Sequence, residues 1–326
     1  MSEPPILEVT DLRKLFPVGK AHLWRTCDRY VHAVDDVSFQ LGCGEVLALV
    51  GESGCGKSTL ALTLVGLEKP TAGKLVFEGQ DVTHVEGREL KQMRRRIQMV
   101  FQDPYESLSP LMTIGQIVAE PLVVHGLAKD KGEQAGRVHR AMEDAGLKPA
   151  EAYLNRLPHE LSGGQRQRVV IAGALVLEPV LLLADEPVSM LDVSIRAEIL
   201  NLLADLRARR GISILFITHD LATAAYFTDR VAVMYLGRIV EIGPTRDVLT
   251  APAHPYTRAL LSVIPVPNPR QRRERIILQG DPPNPIDLPP GCRFHPRCPL
   301  AQPTCREQDP MLRQVNDGHQ AACLLL

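Results

Sequence analysis

The 326-residue chain contains no uncharged apolar stretch of roughly 18 residues, so no membrane-spanning helix is expected from it. Its N-terminus, "MSEPPILEVTDLRK", lacks the basic start and apolar core of a secretion signal, and a cytoplasmic protein is expected. Net charge is missing as well. The 37 Lys and Arg residues are matched by 38 Asp and Glu, which leaves no overall field to draw nucleic acid or anionic lipid. The basic run "RQRRER" (270–275) is read as a solvated face, and no nucleic-acid partner is expected. Internal repeats and low-complexity tracts are absent too. What remains is an ordinary globular composition, 45% apolar, with length for about two domains. The seven cysteines, in a reducing compartment, read first as core thiols, metal ligands or redox groups rather than disulfides.

Short apolar strands ("ILEVTDLRKLF", "HAVDDVSFQLGCGEVLALVG", "GKLVFEG") surround a helix starting near Lys57, which suggests a mixed sheet feeding a phosphate-binding turn. From Ile114 to Ala172 the pattern is mostly helical, with apolar positions three and four apart in "GEQAGRVHRAMEDAGL". Strand signals return in "PVLLLADEP" and "GISILFITHD" around the helix-like "SIRAEILNLLADLRARRG". Such a pair of continuous apolar runs suits a parallel sheet covered on both faces. "DRVAVMYLGRIVEIGP" reads as a hairpin turning at Leu236-Gly237. Of 26 prolines, 15 lie between Pro244 and Pro310, so that tail is expected to be a separate, loop-rich appendage.

The stretch "GESGCGKST" follows the apolar run "VLALV" and precedes "LALTLVGL". Gly51, Gly56, Lys57 and Ser58 fit the phosphate-loop pattern in the strand-turn-helix context it requires. The loop Gly51, Glu52, Ser53, Gly54, Cys55, Gly56, Lys57, Ser58 and Thr59 then curls its N–H groups around phosphates at a helix N-terminus. Lys57 adds charge against the β and γ groups, and Ser58 offers a hydroxyl to Mg²⁺. A bland glycine turn has no need of Lys-Ser there. Asp185, ending "VLLLADEP", is placed to hold Mg²⁺ through water, while Glu186 polarises the attacking water; capping of the next turn is the structural alternative.

"LSGGQ", residues 161–165, settles the class. With the phosphate loop it makes the sequence resemble the ATP-binding-cassette ATPases over residues 5–245, in the order phosphate loop, glutamine loop, signature, Walker B, D-loop and switch histidine. The resemblance implies an α/β fold: a P-loop NTPase core with an antiparallel β subdomain, a helical subdomain at 111–172, and a small proline- and cysteine-rich domain at 246–326 following the cassette at 1–245. It implies two cassettes closing head to tail, with Ser162, Gly163, Gly164 and Gln165 of one covering the ATP held by the other. Gln102, in "VFQDP", matches the loop that reaches Mg²⁺ and the attacking water, and His219, in "FITHD", matches the switch histidine. Asp192, in "SMLD", matches the D-loop, where Met190 replaces the usual alanine. Phe16, in "LRKLF", stands where the family stacks an aromatic on adenine; Trp24 and Tyr30 compete for that role.

"FQDPYESLSPLMTIGQIVAEPL" and "HPYTRALLSVIPVPNP" (254–269) are similar to segments of the ATPase subunits of bacterial dipeptide, oligopeptide and nickel importers, with Leu111 where arginine is usual. That resemblance implies a paired cassette, two membrane permease subunits, an extracytoplasmic solute-binding protein, and a place at the cytoplasmic face of the membrane. Peptide is the favoured cargo, nickel or another small solute the alternative, and a soluble non-transport cassette the rival from another class. In the tail, Cys292, Cys298, Cys305 and Cys323 are spaced C-x5-C-x6-C-x17-C in a segment too small for its own core, which suggests a staple. The resemblance to several peptide-importer ATPases implies a [4Fe–4S] cluster there; structural zinc, free thiols and a disulfide remain alternatives. Cys27 and Cys43 stand alone, and Cys55, inside the phosphate loop, is read as a small tolerated side chain open to alkylating agents.

Overall fold

The computed structural model describes residues 4–19, 29–264 and 275–326. Trp24, Cys27 and most of the basic run lie outside the described residues. In chain order the elements are β1 (Leu7–Pro17), β2 (Tyr30–Leu41), β3 (Val46–Val50), α1 (Lys57–Leu64), β4 (Ala72–Phe77) and β5 (Gln80–Asp81). Then come α2 (Gly87–Arg96), β6 (Ile97–Val100), α3 (Pro104–Ser107), α4 (Ile114–His125), α5 (Lys131–Asp144), α6 (Glu151–Leu154), α7 (Gly163–Leu175), β7 (Leu181–Asp185), α8 (Val193–Arg210) and β8 (Ser213–Thr218). The last are α9 (Leu221–Phe227), β9 (Arg230–Tyr235), β10 (Arg238–Pro244), α10 (Thr245–Thr250), α11 (Pro255–Ser262), β11 (Arg313–Asn316) and β12 (His319–Ala321). They fall into two compact units.

The first unit comprises residues 1–6, 42–45 and 85–217. Strands β6, β7 and β8 run parallel, with Ile97 opposite Leu181 and Leu181 opposite Ser213. Every residue of β7 and β8 is buried, the expected state of an apolar run covered on both faces. The 114–172 region is helical as expected, and α4, α5 and α7 pack on one another through Ile114, Val118 and Leu122, through Val138 and Met142, and through Val169, Ile171 and Leu175. Helix α8 closes on Gly211 in the left-handed region, with Arg207, Arg209 and Arg210 in its last turn, where cations oppose the helix dipole.

The second unit comprises residues 7–41, 46–84 and 218–326. One antiparallel sheet has the order β2-β1-β4-β5. A second set of strands begins with β3 parallel to β9 and continues antiparallel through β10, β12 and β11. The β9–β10 hairpin turns at Leu236 (φ 42°) and Gly237 (φ 78°), where the sequence placed it. The tail is loop-rich, but it is not a separate appendage. Its residues 311–326 are free of proline, and β12 joins the edge of β10. Phe294 and Tyr256 are buried in one core with Tyr235, Val231 and Val233. Buried Glu241 of β10 accepts from the N–H groups of Ala253 (2.7 Å) and His254 (3.0 Å) and is bonded to His319 Nε2 at 2.7 Å, tying three parts of the unit together.

Candidate nucleotide site

In the second unit, β3 delivers the chain into the phosphate loop and α1 leads out of it. A Cβ on Gly51 would stand 2.2 Å from the Met234 carbonyl oxygen, and one on Gly56, which has φ 107°, would stand 1.9 Å from that of Ala33. Only glycine fits either place. Lys57 is buried, and its Nζ donates to the carbonyl oxygens of Gly51 (2.8 Å) and Glu52 (3.0 Å), so the loop wraps its own cation. No side chain caps the N-terminus of α1, which leaves its first N–H groups to an external acceptor such as phosphate. Ser53, Gly54 and Ser58 are exposed, and Thr59 is half-buried. Cys55 corrects the sequence reading: it is buried, and burial pushes its thiol up, so it is shielded from alkylation rather than open to it. Phe16 lies half-buried on β1, paired with Val31, with Lys14 Nζ 4.6 Å from its ring centre. His219 is exposed at the end of β8; Asp220 caps α9 by accepting from Ala222 N–H at 2.8 Å.

In the first unit, β7 ends in buried Asp185, and the next residue, Glu186, adopts φ 45°, a strained conformation for a side chain of this kind. Its N–H bonds the Ile217 carbonyl at 2.9 Å, which holds it in register beside β8. Gln102, just beyond β6, donates from Nε2 to Glu186 Oε2 at 3.2 Å. Two residues chosen from separate motifs, 84 positions apart, are thus brought together.

The signature has a local logic that its spacing already contained. Ser162 and Gln165 form a capping box on α7: Gln165 N–H donates to Ser162 Oγ (3.3 Å), and Ser162 N–H donates to Gln165 Oε1 (3.0 Å). A Cβ on Gly164 would lie 2.6 Å from Ile195 Cγ2, so the glycine allows α7 and α8 to approach. Gly163 has the exposed Tyr105 hydroxyl nearby, and Arg166 stacks on the Tyr105 ring at 4.3 Å. Asp192 caps α8 through Ile195 N–H and Ser194 Oγ, and the bonds from these groups hold its carboxyl below the usual range. Met190 is exposed.

The tail supplies residues that sequence reasoning missed. Arg297 forms a two-pronged ion pair with Glu52 of the phosphate loop (2.8 and 3.2 Å), and the Tyr256 hydroxyl accepts from Glu52 N–H at 3.0 Å. No local pattern signals these pairings. Among the tail cysteines, the Cys292 N–H donates to the Cys305 carbonyl oxygen at 2.9 Å, and Cys292 and Cys298 pack against the same core. Burial pushes Cys292 up to about 11 and raises Cys298 and Cys323 as well, so these sulfurs are thiols at neutral pH. Among the described residues, no group of three or more His, Cys, Asp or Glu stands close enough to hold a metal ion. As arranged, the sulfurs do not fit an iron–sulfur cluster or zinc, and that expectation receives no support.

A phosphate loop, a carboxylate just beyond a parallel strand with its glutamine partner, and a Ser-Gly-Gly-Gln helix cap are the parts of a nucleotide-hydrolysing cassette. Known proteins agree. Residues 34–189 match the ABC transporter family, and residues 240–305 match the oligopeptide/dipeptide transporter C-terminal region. A Brucella ovis chain named as a peptide import ATP-binding protein is 49% identical over 324 residues, 99% of each chain. The oligopeptide transport ATP-binding protein AppF of Bacillus subtilis is 46% identical over 327 residues, 99% of this chain and 98% of its own. Among solved structures, the ATP-binding cassette MJ0796, dimeric and bound to ADP and Pi, is 30% identical with a TM-score of 0.65, over 74% of this chain and 99% of its own. The cbiO1 component of the Clostridium perfringens transporter complex cbiONQ is 31% identical, also at 0.65, over 76% of this chain and 92% of its own. The chain belongs to the ABC transporter family as an ATPase carrying the oligopeptide/dipeptide C-terminal region. Among the described residues, no helix is long and apolar enough to cross a membrane.

Proposed function

We propose that this chain is the ATP-hydrolysing subunit of an importer of di- or oligopeptides, working as one of two cassettes docked on two membrane subunits that a solute-binding protein serves. The observation that carries the reading is the Gln102–Glu186 hydrogen bond, which aims a strained carboxylate from the end of a buried strand. In this reading Glu186 takes the proton of the attacking water, and Gln102 holds its carboxylate in place. Lys57 and the loop N–H groups bind the β and γ phosphates, Phe16 stacks on adenine, and His219 contacts the γ-phosphate. Ser58, Gln102 and Asp185 would offer oxygen donors to Mg²⁺, which would neutralise charge on the phosphates; oxygen donors suit this hard cation. Ser162, Gly163 and Gly164 cover the nucleotide of the partner cassette, with Asp192 beside the dimer contact. We place the division between cassette and tail at residues 245 and 246.

Peptide cargo rests on the names of the relatives and on the matched C-terminal region; those names supply no support for nickel. Purified Glu186→Gln is expected to bind ATP and remain dimeric while hydrolysis falls at least about a hundredfold. Turnover like that of the unaltered protein removes Glu186 from the reaction. Co-purification with membrane subunits, and uptake of labelled peptide but not nickel by the reconstituted assembly, are the expected outcomes for the transport reading. A cassette that comes down alone favours the soluble rival. For the tail, iron and sulfide analysis of protein prepared without oxygen decides whether the four thiols draw together around a cluster, and zinc without iron assigns them to the alternative metal.

A further inference from the structure

The tail reaches the phosphate loop at Glu52. Glu52, the second position of the loop, is held at both ends by residues more than 200 positions away in the chain. Its N–H donates to the Tyr256 hydroxyl of α11 at 3.0 Å. Its carboxylate receives both prongs of Arg297, at 2.8 and 3.2 Å. Its carbonyl oxygen accepts from Lys57 Nζ at 3.0 Å, so a single residue joins the tail to the cation that meets phosphate.

Arg297 is itself fixed. It closes a tight turn, His295–Arg297, with its N–H on the Phe294 carbonyl at 3.0 Å, and its guanidinium lies 6.0 Å from the centre of the Tyr235 ring. Tyr235, Tyr256 and Phe294 pack together with ring centres 4.8 to 5.4 Å apart, a rigid aromatic floor beneath the arginine. The Arg297 side chain is 8% exposed and that of Glu52 is 28%. A pair this poorly hydrated is worth more than a surface ion pair, and the planar fork fixes orientation as well as charge.

We propose that Arg297 and Tyr256 are positioning residues for ATP binding: they hold Glu52 so that the phosphate loop keeps its cradle and its carboxylate is neutralised where a triphosphate must sit. An uncompensated carboxylate in a loop built for four negative charges repels the ligand, and at low exposure water screens that repulsion poorly. Arg297 cancels the charge without touching ATP. Tyr256 takes one N–H of the loop out of circulation and sets the peptide plane that follows Gly51. The phosphate loop of this chain therefore depends on its tail for charge balance.

The proposal rests on the nucleotide reading above, and Lys57→Ala separates the two. That variant of the full chain is expected to lose ATP binding; if it binds like the unaltered protein, the nucleotide reading fails and the positioning role falls with it. Arg297→Ala is expected to weaken ATP binding and raise the KM for ATP about tenfold, with kcat changing by less than about twofold. Glu52→Gln combined with Arg297→Ala is expected to recover to within about threefold of the unaltered protein, because no carboxylate remains to repel phosphate. A purely structural arginine gives a different result, with the double variant as weak as Arg297→Ala or weaker. That outcome, or an unchanged ATP affinity in Arg297→Ala, overturns the proposal. Should Arg297→Ala fail to fold, Arg297→Lys keeps the charge but loses the fork, and Tyr256→Phe loses the acceptor. Each is expected to raise the KM about threefold, and unchanged values in both overturn the proposal equally.

Discussion

At Gly56 the phosphate loop turns through φ 107° against the Ala33 carbonyl, and no side chain can enter. Gly56→Ala adds left-handed strain of about 1–3 kcal/mol to a clash that moves backbone. Thermal unfolding should show a lowered Tm, and equilibrium binding should show ATP affinity lost. Gly54, at φ 79° with open space around it, is a gentler case, since conformation alone opposes a side chain there. The identities of these glycines were legible in "GESGCGKST", because the demand on each is set within a few residues. Cys55 was misread for the converse reason: its exposure depends on what packs over it, and neither Lys57 nor the spacing announces that.

Among the elements, the Ser162 cap of α7 is a matter of local spacing, and its surroundings are not. Ser162 and Gln165 stand three apart before a helix, a signature of local geometry, whereas the fit of Gly164 against Ile195 depends on how α8 approaches α7. Helix α11 offers a measurable case. His254 caps it, accepting from Tyr256 N–H at 3.1 Å through Nδ1, and its pKa is depressed to about 3, first by burial and then by Arg258. The folded value lies below the unfolded one, so the unfolded chain takes the proton first as pH falls. The stabilisation is complete above about pH 6.5 and is lost on acidification toward about pH 3, at about 1.4 kcal/mol per pH unit. Between about pH 7 and 5, urea unfolding is therefore expected to show about 2 kcal/mol of loss from this group. His254→Asn keeps an acceptor for the cap, and the slope should flatten by that amount. An unchanged slope would remove His254 as its source.

On the scale of the whole molecule, the tail is a structural member of the second unit. Ending the chain after Pro244 strips β12 from the edge of β10 and uncovers Tyr235. It also leaves buried Glu241 without His319 or the N–H groups of Ala253 and His254. An uncompensated buried carboxylate costs about 3–5 kcal/mol, a large share of the stability of any domain. The shortened chain should appear in the insoluble fraction, and any soluble remainder should bind a hydrophobic dye and melt lower than the full chain.

By itself the sequence determined the phosphate loop, the carboxylate strand, the helical region, the β9–β10 turn and the signature motif. Each depends on glycine conformation, apolar periodicity or hydrogen bonds closed within a few residues, and those are properties of neighbours in the chain. Tertiary structure alone decided that Gln102 meets Glu186, that β12 completes an edge, that Glu241 is buried on His319 78 residues away, and that Arg297 answers Glu52 across 245 residues. A charged side chain carries no record of its distant partner. Only packing of the aromatic floor and the strands beneath it brings the opposite charges within reach and keeps water from screening them.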